Sequence, residues 1–392
     1  MFKKLYSRIS RGKEWYHTYR KEINLASNIT VKNKQLYEEL EQAAKQQDGV
    51  LTYAEYLQID QFGKNGYYVT SKKHGKTDIE NRWGDAIVNY CKKFNLETII
   101  EFGCGTGELG VATAKAYKKL TKKKLMWIGV EIDTKIHTKI FDNFKSQQMQ
   151  DSVKQLVTTL DEVPKQQNAL IIFPYSLDNM PPQVFVNTNS VASYPDSLLG
   201  ITLANGKLSE VIIPQEMMRR KGLKLENGLF TQDIYTCKLS SWKLRKGQRA
   251  YIPIDSYITV NNYTKKFGNE TTMLIIDEFR KEPWFFNIEN LGTPKSLYEH
   301  NLICNDRTRY YRESGRHNLY YPLYRDSVLH FLNAIGFQSI TYDIEQKKAA
   351  ELRGKPWLSV RKKYATLAFI ARNLVDKKTD ILPIPFTPQR IL

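Results

Sequence analysis

Apolar residues follow two different spacings along this chain, and each spacing predicts a different element. Between positions 36 and 44 they recur three and four residues apart, which predicts an amphipathic helix. The range 49–71 predicts a helix followed by a glycine-hinged loop. The apolar positions of 83–91 predict a helix that leads into a short apolar run, 98–102, and a run of that length predicts a buried strand.

From this strand onward, short apolar runs alternate with segments of helical spacing. Strands are predicted at 98–102, 125–132, 153–159, 169–174, 272–277, 338–344 and 365–371. Helices are predicted at 110–120, 136–145 and 324–335. Such alternation is typical of an α/β fold with a parallel sheet. The pattern predicts a Rossmann-like, seven-stranded sheet that ends in a hairpin.

A region of short β-like runs interrupts this alternation after position 185. Its turns are predicted at Asn205-Gly206, Asn227-Gly228 and Lys246-Gly247, because such pairs favour tight turns between strands. The chain is therefore divided into five segments. They are an N-terminal helical or lid segment (1–95), a first core part (96–185), an inserted β-rich substrate region (186–270), a second core part (271–375) and a C-terminal tail (376–392).

Charge is the unusual feature of the composition. The 392 residues carry a formal net charge of +18, which favours an acidic partner: nucleic acid, an acidic peptide or protein, or a phosphorylated small molecule. A general lysine bias explains the same figure. No apolar run approaches the roughly 18 residues that span a bilayer, and no secretory signal is recognised, so a cytoplasmic location without a membrane span is expected. The four cysteines and six histidines lack metal-ligand spacing, so no metal is expected.

The stretch 101–110, EFGCGTGELG, is the strongest candidate for a binding site. Gly103, Gly105 and Gly107 lie between a predicted strand and a predicted helix, where glycine lets the backbone approach a ligand closely. This spacing also satisfies the dinucleotide fingerprint, so the glycines alone leave two cofactor classes open: S-adenosylmethionine and a nicotinamide nucleotide.

Acidic residues around the glycines favour S-adenosylmethionine. Glu101 can interact with the cationic methionine amine, directly or through water, whereas Glu101 and Glu108 would both repel an anionic diphosphate. Glu131 ends the second predicted strand, where it is placed to accept both ribose hydroxyls; an exposed or capping acid is the alternative. Asp161 follows the third strand and is expected to receive the adenine amino group or to cap a helix.

The loop after the fourth predicted strand is expected to complete the site. Ligands of such sheets bind at the carboxyl ends of the strands, so Phe173 is counted among the cofactor contacts. Tyr175, Asp178 and Asn179 are the candidate catalytic residues, because they could orient a nucleophile and a phenol or carboxylate can remove its proton. A plain proline-terminated turn is the alternative.

Several motifs, in the same order along the chain, resemble the MidA-type methyltransferases. This group includes a mitochondrial complex I assembly factor that methylates an arginine of its partner subunit. The similar stretches are 51–56 (LTYAEY), 66–71 (GYYVTS), 77–84 (TDIENRWG), Asp178 with Pro181, 275–277 (IID) and 316–336. Two departures stand where the family has Asn-Glu and Tyr-Gly: Pro174-Tyr175 and Glu278-Phe279.

The resemblance implies a class I S-adenosylmethionine-dependent methyltransferase with a protein or peptide acceptor, an arginine nitrogen among the options. Its departures lie in the expected substrate pocket, so the cofactor transfers more directly than the acceptor. Three alternatives stay open: a small-molecule or natural-product methyltransferase, an RNA methyltransferase that would explain the positive charge, and an assembly factor that binds the cofactor without turnover. The expected partner is a protein or peptide, acidic by charge complementarity, with nucleic acid as the alternative. The sequence leaves the oligomeric state open.

Overall fold

The computed structural model of this chain describes residues 25–70, 80–166, 168–174, 176–177, 179–189, 194–232, 235–238, 246–247, 249–267, 272–280, 295–296, 311–316, 319–320, 323–324, 328, 331–332, 335, 337–343 and 365–373. The predicted tail, 376–392, lies outside the described residues.

Helices and strands alternate through most of this range. The α-helices are α1 (Lys34–Lys45), α2 (Tyr53–Phe62), α3 (Tyr67–Thr70), α4 (Glu80–Lys93), α5 (Glu108–Thr121), α6 (His137–Ser146), α7 (Gln215–Arg220) and α8 (Ile254–Phe267). The strands are β1 (Ile29–Thr30), β2 (Val50–Thr52), β3 (Thr98–Phe102), β4 (Met126–Val130), β5 (Val153–Val157), β6 (Ala169–Pro174), β7 (Gln183–Val186), β8 (Ser197–Ala204), β9 (Lys207–Ile212), β10 (Leu223–Glu226), β11 (Leu229–Gln232), β12 (Tyr235–Lys238), β13 (Arg249–Ile252), β14 (Thr272–Arg280), β15 (Lys295–Ser296), β16 (Leu319–Tyr320), β17 (Leu323–Tyr324), β18 (Phe337–Asp343) and β19 (Ala365–Asn373). No helix among the described residues is long and apolar enough to cross a membrane.

Contacts group the chain into two compact units. The first unit contains Met1–Thr70, Pro181–Ile254 and Pro283–Tyr320; the second contains Ser71–Met180, Asp255–Glu282 and Tyr321–Leu392. These bounds differ from the predicted segments at two helices and at 283–320, which falls in the first unit although the predicted second core part, 271–375, includes it. Helix α4 falls in the second unit although 1–95 groups it with the N-terminus, and nearly all of α8 does so although 186–270 includes it.

Close packing explains why both helices belong to the second unit. A Cβ on Gly84 of α4 would lie 2.9 Å from the backbone of Ala112 in α5, so the glycine lets these two helices approach closely. In α8, the buried ring of Tyr263 packs edge to face on Phe102 and Phe173, which lie on neighbouring strands of the second unit's sheet.

The second unit is built on a largely parallel sheet. Its strand order is β18-β19-β14-β6-β3-β4-β5, and β17 pairs beside the end of β14. Strands β14, β6, β3, β4 and β5 run parallel, whereas β19 pairs antiparallel with both β14 and β18. The α/β class and the closing antiparallel pair are confirmed. Within the described residues the sheet has eight strands rather than the predicted seven, because β17 adds a short parallel pairing.

The predicted helix 324–335 begins too early. Tyr324 lies in β17 and pairs with Arg280 of β14. Of the predicted range, the helical residues described are Val328, Phe331 and Leu332, and all three are buried. The predicted helical spacing of these apolar positions is correct. Tyr324, the first residue of the predicted helix, instead belongs to a strand because it pairs with β14.

The first unit is mostly antiparallel sheet. One sheet has the order β1-β9-β8-β7-β13 with β2 beside β8, and another joins β10, β11 and β12. The predicted turns at Asn205-Gly206 and Asn227-Gly228 are confirmed: both residues of each pair have positive φ, and the pairs connect β8 to β9 and β10 to β11. Helix α2 begins with a capping box, in which Thr52 and Glu55 each bond the other's backbone N–H.

A buried carboxylate, Glu210, joins distant parts of the first unit. Its Oε1 accepts hydrogen bonds from Arg249 (2.8 Å) and from the Tyr311 hydroxyl (2.6 Å). Its Oε2 accepts from Arg249 (2.7 Å) and from the Ala26 backbone N–H (2.8 Å). All four residues are buried, and burial raises the pKa of Tyr311 far above its usual range. The Glu210 side chain therefore holds together the segment before β1, strand β13 and Tyr311.

Replacing this carboxylate tests its structural role. Glu210→Ala leaves the Arg249 guanidinium buried without its counter-ion, so the free energy of unfolding should fall by about 3–5 kcal/mol. Glu216→Ala is the matched control, because Glu216 forms an exposed ion pair with Arg220, and exposed pairs contribute little to stability. Urea unfolding of both variants measures the difference. Equal, small losses would show that the buried pair does not hold the first unit together.

Candidate functional site

The glycine-rich stretch forms a tight turn between β3 and α5 in the second unit. Gly103, Gly105 and Gly107 have φ values of +63°, +53° and +75°, which side-chain-bearing residues rarely adopt. Gly103 donates its N–H to the carbonyl of Val130 at 2.8 Å, which ties the turn to the end of the neighbouring strand β4. A Cβ added at Gly105 would meet nothing within 4 Å. The backbone at Gly105 is therefore open to close approach by a ligand.

Glu131 lies across this turn, immediately after β4. Its Oε2 accepts a hydrogen bond from the Gly105 N–H at 2.8 Å, and its Oε1 accepts one from the Asp133 N–H at 3.1 Å. Burial raises the pKa of Glu131, while these two backbone donors act against that rise. A carboxylate offers about four lone-pair sites, so each oxygen keeps capacity to accept a further hydrogen bond. The two contacts fix the carboxylate without exhausting it.

Glu101 points into the core instead of outward. Its side chain is 1% exposed, and its Oε2 accepts a hydrogen bond from the indole Nε1 of Trp127 at 2.7 Å. Two glycines make room for that indole: a Cβ at Gly110 or at Gly129 would lie 2.4 Å or 2.3 Å from its ring atoms. Burial is the main cause that raises the pKa of Glu101 to about 8. Glu101 thus joins β3 to β4 beside the glycine turn, and its predicted contact with a ligand amine stays a prediction.

Asp161 lies at a more exposed position after β5. It belongs to the 3₁₀ turn Leu160–Glu162, whose N-cap is Thr159, so Asp161 is not the capping residue. Its backbone carbonyl accepts from Lys266 Nζ at 2.9 Å, while its side chain is exposed. The neighbouring Glu162 accepts from the hydroxyl groups of Thr158 and Thr159, and this holds the turn in shape. The adenine contact of Asp161 stays a prediction.

Phe173 is placed in the core near the end of β6. Its ring is fully buried between Phe102 and Tyr263, at centroid distances of 5.6 Å and 5.3 Å. The ring therefore contributes to packing between the sheet and α8. Any contact of this residue with a cofactor would have to come from its main chain.

The loop after β6 is held from two sides. The N–H of Leu177 donates to Oδ2 of Asp277 at 3.0 Å, and its carbonyl accepts from Ser256 Oγ at 2.7 Å. Asp277 and Ser256 are both buried. Tyr175 and Asp178 lie outside the described residues, and Asn179 is half-buried. The catalytic roles of these three stay predictions, but the loop that carries them has a fixed anchor at Leu177.

Four residues of this region were not among the predicted site residues. Asp277 follows an apolar run just as Glu131 does, so its position after a buried strand could have indicated it. Ser256 and Ser176 have no distinguishing sequence pattern. Ile132 directly follows Glu131 and is 49% exposed, which places a large apolar side chain at the same edge of the sheet.

The described residues contain no group of three or more His, Cys, Asp or Glu side chains that could hold a metal ion. The cysteines described with their side chains, Cys91 and Cys104, are both buried as thiols and not joined in a disulfide. Burial raises the pKa of Cys91 to about 12, which keeps its thiol protonated at neutral pH.

Comparison with known proteins places this fold among solved structures. No protein-family model and no curated protein matches the chain. A COG1565 superfamily protein from Burkholderia thailandensis is similar with a TM-score of 0.62 and 13% identity over 87% of this chain and 91% of that one. A COG1565 superfamily member from the same organism, bound to S-adenosyl-homocysteine, is similar with a TM-score of 0.63 and 13% identity over 86% and 91%.

At this identity the comparison shows the fold. The chain has an α/β fold of the class I methyltransferase type, in agreement with its parallel strands β14, β6, β3, β4 and β5. In this fold the glycine turn, Glu131 and the loop after β6 all lie at the carboxyl edge of the parallel strands.

The buried carboxyl group of Glu101 predicts a pH-dependent stability. Its pKa is about 8 in the folded protein against 4.5 for an ordinary glutamate, so ionisation favours the unfolded state. Relative to Glu101→Gln, the wild-type protein should lose stability as the pH rises from about 4.5 to about 8, by on the order of a few kcal/mol in total, and the loss should level off above that pH.

Urea unfolding across this pH range measures that difference. Glu97→Gln is the control, because Glu97 is exposed and lies before β3. A stability difference between wild type and Glu101→Gln that does not change with pH would contradict the raised pKa.

Proposed function

We propose that this chain is an S-adenosylmethionine-dependent methyltransferase that modifies a protein or peptide. The observation that carries the proposal is the position of Glu131 across the open glycine turn, 2.8 Å from the Gly105 N–H. This arrangement offers a nucleoside both a backbone to lie against and a fixed carboxylate for its ribose. The fold agrees with this assignment, since a protein of the same fold binds S-adenosyl-homocysteine.

The residues around the turn suit the proposed cofactor. The remaining acceptor capacity of Glu131 is enough for the 2′- and 3′-hydroxyls of one ribose. Ile132 supplies an exposed apolar surface beside it, suited to the face of an adenine ring. Asp161 is proposed to receive the adenine amino group. The carboxylates of Glu131 and Glu108 lie at the glycine turn, and they favour a cationic sulfonium over an anionic diphosphate.

When bound, S-adenosylmethionine supplies a methyl group on a positively charged sulfur. The protein's task is then to align an acceptor lone pair with that methyl group and to receive the proton that the acceptor loses. Asp178 or Tyr175 is proposed as the proton acceptor, and Asn179 is proposed to orient the acceptor group. Leu177, which lies between Tyr175 and Asp178 in the sequence, is fixed by its hydrogen bonds to Asp277 and Ser256.

Two features support a protein or peptide as the acceptor. The resemblance to MidA-type methyltransferases suggests a nitrogen such as that of arginine, and the net charge of +18 suits an acidic partner. The departures Pro174-Tyr175 and Glu278-Phe279 begin at the last residue of β6 and lie near the end of β14. Because these positions adjoin the proposed catalytic loop, the acceptor group can differ from that of the family.

Transfer of a radiolabelled methyl group into cell extract tests the proposed activity. The purified chain and labelled S-adenosylmethionine are incubated with extract, and the products are treated with protease or with nuclease. Label that protease releases and nuclease does not is the expected result. Label released by nuclease would identify RNA as the acceptor. Label in small molecules would identify a small-molecule methyltransferase. Absence of transfer would favour a binding protein without catalytic activity.

The ribose contact gives a separate prediction for binding. Glu131→Gln keeps the shape of the side chain but replaces one acceptor oxygen by a donor, so affinity for S-adenosyl-homocysteine should fall by about tenfold or more. Glu97→Gln, at the opposite edge of the sheet, should leave the affinity unchanged. Isothermal titration calorimetry measures both variants. Equal affinities would remove Glu131 from the binding site.

A further inference from the structure

Ser176 presents a buried hydroxyl that has no hydrogen-bond partner in the described part of the chain. The residue is 9% exposed. It is the second residue after Pro174, with which β6 ends. Burying a hydroxyl without a partner is unfavourable because the group loses its hydrogen bonds to water, so an orphaned group of this kind needs an explanation. A binding group that waits for a ligand is one such explanation.

The position of Ser176 connects it to the glycine turn. A Cβ added to Gly103 would lie 3.1 Å from the Ser176 Cβ and 4.0 Å from its Oγ. A larger residue at position 103 would therefore crowd this serine. The Ser176 hydroxyl therefore lies beside Gly103, the first glycine of the turn.

The clamp on Leu177 keeps the serine there. Asp277 holds the N–H of Leu177 and Ser256 holds its carbonyl, at 3.0 Å and 2.7 Å. The peptide group between Ser176 and Leu177 is therefore fixed through its N–H. Because both anchoring side chains are buried, this restraint does not depend on the more exposed parts of the loop.

Strand order indicates which part of a ligand would reach this hydroxyl. The sheet places β3 between β4 and β6, and neighbouring strands lie about 4.8 Å apart. A nucleoside whose ribose is held by Glu131 after β4, and which crosses the glycine turn after β3, extends its other end toward β6. In S-adenosylmethionine that end is the amino acid, with one ammonium and one carboxylate group.

We propose that the Ser176 hydroxyl binds the amino-acid end of S-adenosylmethionine and so sets the affinity for that part of the cofactor. A hydroxyl can donate to the carboxylate or accept from the ammonium group, and both bonds are charge-assisted. The ligand would thereby satisfy the orphaned group. This inference rests on the proposed function, because it takes S-adenosylmethionine as the cofactor.

Two ligands separate this contact from the rest of the site. S-adenosyl-homocysteine carries the amino-acid end, whereas 5′-methylthioadenosine keeps the adenosine and the sulfur but lacks the amino-acid end. Ser176→Ala should weaken binding of S-adenosyl-homocysteine by about tenfold and leave binding of 5′-methylthioadenosine unchanged within about twofold. Calorimetric titration of the full chain measures all four affinities.

A control variant and a stability measurement exclude a merely structural effect. Ser152→Ala removes another buried serine of the same unit, placed before β5 at the other edge of the sheet, and should change neither affinity. Removing an unpartnered buried hydroxyl should leave the unfolding temperature of Ser176→Ala the same or slightly higher.

Each other outcome has a definite meaning. Unchanged affinity for S-adenosyl-homocysteine, or equal weakening for both ligands, would overturn the assignment of Ser176 alone. A marked fall in unfolding temperature would show that the hydroxyl is structural and would also overturn it. Failure of the wild-type protein to bind either ligand would contradict the proposed function itself.

Discussion

The hydrogen bond from the Gly105 N–H to Glu131 connects the two features on which the proposed site depends. The backbone of the turn takes positive φ at three glycines, and the N–H groups of Gly103, Gly105 and Gly107 each donate a hydrogen bond. A carboxylate at the end of the next strand accepts one of them and is fixed in place. Replacement of Gly105 would strain the backbone, and loss of Glu131 would leave the turn without this bond. The proposed cofactor binding and the local folding of the turn therefore use the same contact.

Buried polar groups have different roles in the two units. In the first unit, Glu210 receives four donors and is fully satisfied, so it acts as a structural tie. In the second unit, Glu101 is bonded to Trp127 but keeps a pKa near 8, and Ser176 has no partner among the described residues. Glu101 and Ser176 both lie beside the glycine turn, where a ligand is proposed to supply the missing contact of Ser176.

Local patterns predict the elements of the sheet well. Strands 98–102 and 169–174 have the predicted bounds, because an apolar run between polar residues marks a buried parallel strand. Glu131 was predicted at the ligand edge from its position after such a run, and the structure places it beside Gly105.

Features that depend on residues distant in sequence were not predictable. The pairing of Tyr324 with β14 and the inward turn of Glu101 toward Trp127 depend on the arrangement of strands in space. The same is true of the clamp that Asp277 and Ser256 form on Leu177, since these residues are far apart along the chain.

Calorimetric titration measures which of the two cofactor classes that share the glycine pattern the chain binds. The wild-type chain is titrated with S-adenosyl-homocysteine and, separately, with NAD. The carboxylates of Glu131 and Glu108 at the glycine turn would repel the diphosphate of NAD, so saturable binding of S-adenosyl-homocysteine and no measurable binding of NAD are expected. Tight binding of NAD without a response to S-adenosyl-homocysteine would contradict the assignment of the site.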